Sequence, residues 1–147
     1  MPEINIRPYL ESDAKEVYAM LKSTEEVHVS GLTYSEKAVQ DWRATRVQDV
    51  ILVAEVHGMI VGFIASRFND PEPGCAYIDC LVVKPEYRGI KIGQQLLERC
   101  ISSLKERGVV FIHLHVRSDF PRTVNFWEKN GFKGKEPLLW MYKEIGQ

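Results

Sequence analysis

"AYIDCLVVKPEYRGIKIGQQLL", residues 76–97, is the stretch on which the fold turns. Its opening, "AYIDCLVV", is rich in β-branched and aliphatic residues and reads as a strand. Pro85 ends that strand, because proline cannot donate to a β-ladder. "YRGIKIG", residues 87–93, then opens a strongly helical run. Leu96, Leu97, Cys100, Ile101 and Leu104 fall on one helical stripe, and Gly108 supplies the stop. A strand that ends in a glycine-containing turn and starts a helix leaves several backbone N–H groups unpaired around one spot, where the helix dipole adds positive potential. Phosphate fits such a place. The pattern is not a Walker loop, since GxxxxGK[ST] is absent, and not a dinucleotide fingerprint, since the turn's glycines are Gly89 and Gly93 only. Taken alone, the stretch leaves a phosphate site and a plain strand–helix connection equally open.

Outward from this unit the chain alternates between strand and helix patterns. "INIRPY" reads as a short strand and "SDAKEVYAMLKS" as a helix capped by Ser12 or Asp13. "SEKAVQDWRATR" reads as a second helix with Ser35 as N-cap. "VILVAEV" and "MIVGFIASRF", joined by "HG", form a β-hairpin pattern, and "NDPEPG" is a turn cluster. Beyond the central helix come a strand, "VVFIHLHV", a short helix in "PRTVNFWEKNGF" with Pro121 near its start, and a last strand, "LLWMYKEI". The order β-α-α-β-β-β-α-β-α-β predicts an α/β fold: one mixed, mostly antiparallel sheet with flanking helices, as a single domain over residues 1–147.

Composition narrows the function classes. Of 147 residues, 45% are hydrophobic and 27% charged, an ordinary globular balance. Nineteen basic and twenty acidic side chains nearly cancel, so no basic excess points to nucleic acid. The apolar runs are far too short to span a bilayer, and the N-terminus lacks a hydrophobic signal core. Cys75, Cys80 and Cys100 form neither a CxxC nor a Cys/His cluster, so no disulfide scaffold or metal site is expected, and the cytoplasm is the simplest compartment.

Read with its neighbours, the stretch at 76–97 resembles the central motif of the GNAT superfamily, the CoA-dependent N-acetyltransferases: strand, V-x-P-x-x, [QR]-x-x-G-x-[GA], helix. "NIRPYLESDAKEV", "VILVAEVHGMIVGFIASR", "NFWEKNGF" and "LLWMYKEI" are similar to other segments of that family, so the resemblance covers nearly the whole chain. It implies the GNAT fold, with a V-shaped opening between "AYIDCLVV" and "VVFIHLHV" that takes the pantetheine arm. It implies acetyl-CoA as cosubstrate, held by Arg88, Gly89, Ile90, Lys91, Ile92, Gly93 and Gln94 at its pyrophosphate, by backbone groups of Leu81, Val82 and Val83 along the arm, and by Phe126 in "NFWEKNGF". The N–H of Leu81 or Val82 is the expected oxyanion donor.

Three residues depart from the family pattern. The middle glycine is Lys91, the asparagine often found upstream of the last helix is Phe120, and the tyrosine often used as general acid is Trp127. Lysine keeps its backbone N–H, so the loop can still serve phosphate. Indole N–H cannot protonate a thiolate, so Tyr142, Tyr77 or water takes that role. Asp79 is the candidate base: a carboxylate inside an apolar strand needs a reason to be there, and alternation puts it on a face with Tyr77 and Leu81. His113 and His115 share one face of their strand, where one of them could border the acceptor site although a lone strand histidine is more often structural, whereas His28 and His57 read as loop residues. Glu25 and Glu26, before the second helix, could attract a cationic amine.

The function expected is transfer of an acetyl group from acetyl-CoA to a primary amine of a small molecule or protein. Trp127 and Phe120 leave open an acyl-CoA-binding module without turnover, and Lys91 leaves open an interaction domain that has lost the cofactor. Expected partners are acetyl-CoA and an amine acceptor, without nucleic acid or membrane; homodimer formation stays open.

Overall fold

The computed structural model describes residues 2–24, 35–139, 141 and 143–146. They group into two compact units, residues 1–114 and 115–147. The first carries β1 (Asn5–Pro8), α1 (Ala14–Ser23), α2 (Glu36–Gln40), α3 (Trp42–Thr45), β2 (Val50–Val56), β3 (Met59–Phe68), β4 (Cys75–Val83), α4 (Ile92–Glu106) and β5 (Phe111–His113). The five strands form one sheet in the order β1-β2-β3-β4-β5, antiparallel throughout except for the parallel β4–β5 pair. The mixed, mostly antiparallel sheet predicted from the element order is therefore present.

Local chemistry explains the elements. His57 and Gly58 both have positive φ, 52° and 76°, the conformation a two-residue hairpin turn requires to match strand twist. The Ser35 hydroxyl accepts the Ala38 N–H and starts α2. Gly108, at φ 86°, closes α4: its N–H and that of Val109 bond the carbonyls of Lys105 and Leu104, the Schellman arrangement. The helix expected over 35–46 is split into α2 and α3, with Asp41 as the hinge residue between them.

The sheet is covered on both faces, which is why β2 and β3 are apolar at nearly every position rather than alternating. On one face Val17, Met20, Leu21, Val39 and Trp42 pack on Val53, Phe63, Ala65, Cys80 and Val82. On the other, α4 buries Ile92, Leu96, Leu97, Cys100 and Leu104. Gly62 sits in a tight place between β4 and α4: a Cβ there would meet the Val82 carbonyl oxygen at 3.0 Å and Leu96 Cδ1 at 3.3 Å.

Polar groups pin β1 to its neighbours. Arg7 donates to both oxygens of Asp13, each at 2.8 Å, and its Nε to Glu55 at 2.8 Å. Burial pushes the Asp13 carboxyl up, but the Arg7 bonds and the Leu10 N–H outweigh it and hold Asp13 below the usual carboxylate range. The buried Tyr9 hydroxyl donates to the Val39 carbonyl at 2.6 Å, and burial pushes its pKa up to about 12.

Two expectations about strands need correction. "VVFIHLHV" is strand only over Phe111–His113. The described residues of "LLWMYKEI" form no strand. Leu138, Leu139, Met141 and Ile145 are 68–91% exposed.

The second unit contains α5 (Pro121–Lys129), with Pro121 in its first turn. Trp127 is edge-on to Phe126 and Phe132, with centroids at 5.2 and 5.1 Å. Gly131, at φ 89°, ends α5 in a second Schellman cap, through Gly131 N–H to the Glu128 carbonyl and Phe132 N–H to the Trp127 carbonyl. Among the described residues no helix is long and apolar enough to cross a membrane.

Candidate functional site

The loop between β4 and α4 has the glycine-containing turn and the helix start that its sequence suggests. Residues Pro85–Tyr87 make one 3-10 turn after the strand. Gly89 and Lys91 then take left-handed conformations, φ 86° and 67°, and α4 begins at Ile92. The first bond of the helix runs from the Gln95 N–H to the Lys91 carbonyl, and no side chain caps α4. Among the described residues Ile92, Gly93 and Gln94 are therefore left without partners for their N–H groups, at the positive end of a four-turn dipole. Lys91 occupies a left-handed position that glycine fills most readily, which gives the absence of glycine there a physical cost of about 1 kcal/mol. Its side chain is exposed, while Arg88 Nε lies 3.2 Å from the Val83 carbonyl and so stands over the start of the loop. A Cβ at Gly89 would meet nothing within 4 Å, so the space in front of the loop is open.

β4 leads into this loop with one open side. Its parallel ladder with β5 runs from Cys75↔Phe111 to Tyr77↔His113, and no pairing with β5 continues beyond that among the described residues. On the other side β4 follows β3 to Gly62↔Val83, and the Lys84 N–H still bonds the Val61 carbonyl at 2.8 Å. By antiparallel alternation the backbone groups of Val82 also face β3, whereas those of Leu81 and Val83 face away from it. Of the two oxyanion donors named from sequence, the N–H of Leu81 is turned away from β3 and that of Val82 toward the ladder.

Asp79 sits in a β-bulge. Ala65 pairs with Cys80 and Ser66 with Ile78, so Asp79 is the extra residue. The bulge breaks the strict alternation assumed from sequence: Tyr77 and Asp79 lie on the face that carries Arg67, but Leu81, one residue from Cys80 and Val82 of the core, points to the α4 face. The Asp79 carboxylate is 6% exposed and both its oxygens are occupied. Arg46 Nη2 lies 2.6 Å from Oδ2 and Arg67 Nε 2.9 Å from Oδ1. Arg46, at the end of α3, is itself 7% exposed, bonds Asp49 through Nε at 2.7 Å and lies over the Trp42 ring. Neither arginine stood out in the sequence, because a single arginine after a short helix or at a strand end carries no spacing signal; only the bulge brings them to one carboxylate.

The other expected residues are placed as follows. His113 Nε2 is 2.9 Å from the Asp70 carbonyl and its ring is 5.0 Å from Tyr77. His115 lies beyond β5, in the second unit, so the shared strand face expected for the two histidines does not form. Phe126 is in α5, also in the second unit, with its carbonyl bonded by Asn130 Nδ2. Tyr142, Glu25, Glu26 and His28 lie outside the described residues. Burial pushes the Cys80 thiol well up, and likewise that of Cys100, which the Ser66 hydroxyl pulls partly back, so neither is a ready nucleophile. Among the described residues no group of three or more His, Cys, Asp or Glu is placed to hold a metal ion.

Residues 14–132 match the acetyltransferase (GNAT) family. An acetyltransferase of Sodalis glossinidius is 36% identical over 97 residues, 66% of either chain. The chain spans about half to two thirds of the length of the curated relatives it matches. A protein described as a transcriptional regulator from Bacillus halodurans superposes with TM-score 0.79 at 25% identity, over 96% of this chain and 100% of that one. An aminoglycoside N-acetyltransferase in complex with CoA superposes with TM-score 0.80, over 99% of this chain and 97% of that one, at 13% identity, a likeness of fold alone.

Proposed function

The chain belongs to the acetyltransferase (GNAT) family, and from that premise we propose that it transfers an acetyl group from acetyl-CoA to a primary amine of a small molecule or protein. The observation that carries this reading is the uncapped N-terminus of α4, reached from an open β4 edge. Relatives named as acetyltransferases and a fold shared with a CoA-bound acetyltransferase support it.

The residues present fit the cosubstrate. N–H groups from Gly89 to Gln94 would take the pyrophosphate, with Arg88 at the rim and the exposed Lys91 ammonium close to the same charge. Leu81 and Val83 would offer their outward backbone groups to the amide groups of the pantetheine arm, much as a missing strand would. The thioester supplies the activated acetyl group; the Leu81 N–H would hold the carbonyl oxygen as negative charge develops on it.

The attacking amine must be neutral. Deprotonating a lysine-type amine at pH 7 costs about 4.6 kcal/mol, and an α-amine much less. Asp79 is the proposed acceptor of that proton, directly or through a water. Its oxygens are both taken, but by partners of different kinds. Arg46 is buried at 7% exposure, whereas Arg67 is 43% exposed. An incoming ammonium can replace one cation by another at Oδ1 while Arg46 keeps Oδ2, so the carboxylate is never left buried and unpaired. Tyr142 remains the proposed proton donor to the thiolate; a thiol of pKa near ~8.5 is a tolerable leaving group even without help.

A second reading is a module that binds acyl-CoA without turnover. The closed Arg46–Asp79–Arg67 arrangement favours it. Release of free thiol from acetyl-CoA, measured against a panel of amines, separates the two: amine-dependent release supports transfer, whereas calorimetric binding with no amine-dependent release supports the module.

A further inference from the structure

We infer that Arg88 makes donor binding depend on phosphate, so that the site selects a CoA thioester over the same thioester on bare pantetheine; this rests on the acetyl-CoA reading above. The Arg88 side chain reaches back across the turn after β4, and its Nε donates to the Val83 carbonyl at 3.2 Å. That carbonyl faces away from β3. Gly62↔Val83 is followed by the bond from the Lys84 N–H to the Val61 carbonyl, and backbone groups alternate along an antiparallel ladder. The Val83 carbonyl is thus one of the outward groups of the β4 edge on which a pantetheine arm would lie as a missing strand. A guanidinium at this distance fills the place that an amide nitrogen of the arm must take, since a good N–H···O bond needs about 2.9 Å. The arm reaches Val83 only when Arg88 leaves.

The side chain can move while its backbone stays. The Arg88 N–H bonds the Pro85 carbonyl at 3.2 Å and the Tyr87 N–H the Lys84 carbonyl at 2.9 Å, so the 3-10 turn fixes the Arg88 Cα, while the side chain itself is exposed. Its two partners differ in kind. Toward Val83 it makes one bond to a neutral acceptor. Toward a pyrophosphate it can make two parallel charge-assisted bonds, which are roughly twice as strong each. A pyrophosphate seated on the N–H groups from Gly89 to Gln94 would lie directly after Arg88 in the chain. A CoA thioester therefore brings the group that draws Arg88 off the edge, and a pantetheine thioester offers nothing in exchange. Phosphate at the loop and the arm at Val83 then favour each other's binding, because both fit the same position of one side chain.

The test is calorimetric titration of acetyl-CoA and of S-acetyl-pantetheine into the whole chain and into Arg88→Ala, with and without inorganic pyrophosphate at constant ionic strength. Arg88→Ala changes an exposed side chain and should melt as the parent does. It should bind acetyl-CoA about tenfold more weakly, the loss of a charge-assisted contact, yet bind acetyl-pantetheine severalfold more tightly. Pyrophosphate should tighten acetyl-pantetheine binding to the parent and leave that of the variant unchanged. An arginine that only touched phosphate would weaken acetyl-CoA binding without either effect on acetyl-pantetheine. Acetyl-pantetheine bound no more tightly by Arg88→Ala, or a parent insensitive to pyrophosphate, would overturn the inference, while acetyl-CoA binding by the parent kept the reading beneath it. A parent that does not bind acetyl-CoA would overturn both.

Discussion

Arg46 and Asp79, thirty-three residues apart, meet at 2.6 Å with both side chains more than nine-tenths buried, while Arg67 holds the other oxygen of the same carboxylate from a position 43% exposed. One cation is buried with the carboxylate and the other is partly exposed, and in the proposed mechanism the incoming amine takes the place of the exposed one at Oδ1. Arg67→Gln should therefore leave the fold intact and lower KM for the amine several-fold, because a competitor for Oδ1 is gone. Asp79→Asn should lower kcat by roughly 10²–10⁴-fold, most for amines of high pKa, with acetyl-CoA affinity little changed. Steady-state rates across pH decide: an Asp79→Asn enzyme with the parent's rates and pH profile would reduce Asp79 to a structural residue.

The Arg7–Asp13 pair predicts a pH-dependent share of stability. Asp13 has its folded-state pKa below the usual value near ~3.8, so its contribution is fully present above about pH 4 and is lost as pH falls through the folded value. Asp13→Asn should destabilise by about 3 kcal/mol at pH 7, the low end of the range for breaking a buried pair because Arg7 is 24% exposed. Urea denaturation of parent and variant from pH 7 down to pH 2 should show the two converging at the acid end. A constant gap would contradict the assignment.

Gly62 is required by space rather than by φ. The Val82 carbonyl 3.0 Å from a hypothetical Cβ is backbone and cannot rotate away. Gly62→Val should cost about 1–3 kcal/mol despite valine's better strand propensity, and should lower Tm by several degrees. Thermal melting followed by circular dichroism checks it; an unchanged or raised Tm would mean that β4 and α4 give way more easily than their packing implies.

Much of the fold was legible in the sequence because it rests on local signals. The hairpin at "HG", the Ser35 cap, the strand ended by Pro85 and the amphipathic α4 each follow from residue chemistry within a few positions. The α4 N-terminus was legible for the same reason. The face of Asp79 was not. A bulge depends on the register between β3 and β4, which no local pattern encodes, and the bulge sets which residues share the face of Asp79 and brings Arg46 and Arg67 to it. For "LLWMYKEI" the alternation alone is not enough: its described residues form no strand, because strand propensity depends on packing context rather than on local pattern.

Lys91 tests how the loop tolerates a side chain. At φ 67° and ψ 24° it is strained relative to glycine, so Lys91→Gly should stabilise the fold by up to about 1 kcal/mol and raise Tm by a few degrees. Acetyl-CoA should bind the variant as well or better if the ammonium lies in solvent. Weaker binding with a shallower salt dependence would show instead that the ammonium touches phosphate.

The most direct test of the central claim is calorimetric titration of acetyl-CoA into the parent chain and into Gly89→Pro. Proline removes an N–H from the proposed pyrophosphate site and forbids the left-handed φ of 86°, while Gly89 has no packing neighbour whose loss would disturb the core. The account predicts saturable one-to-one binding by the parent and a loss of at least tenfold in the variant, with parental circular dichroism and a melting point lowered only by the strain in the loop. Failure of the parent to bind, or equal affinity in a folded Gly89→Pro, would contradict it and leave the loop a strand–helix connection.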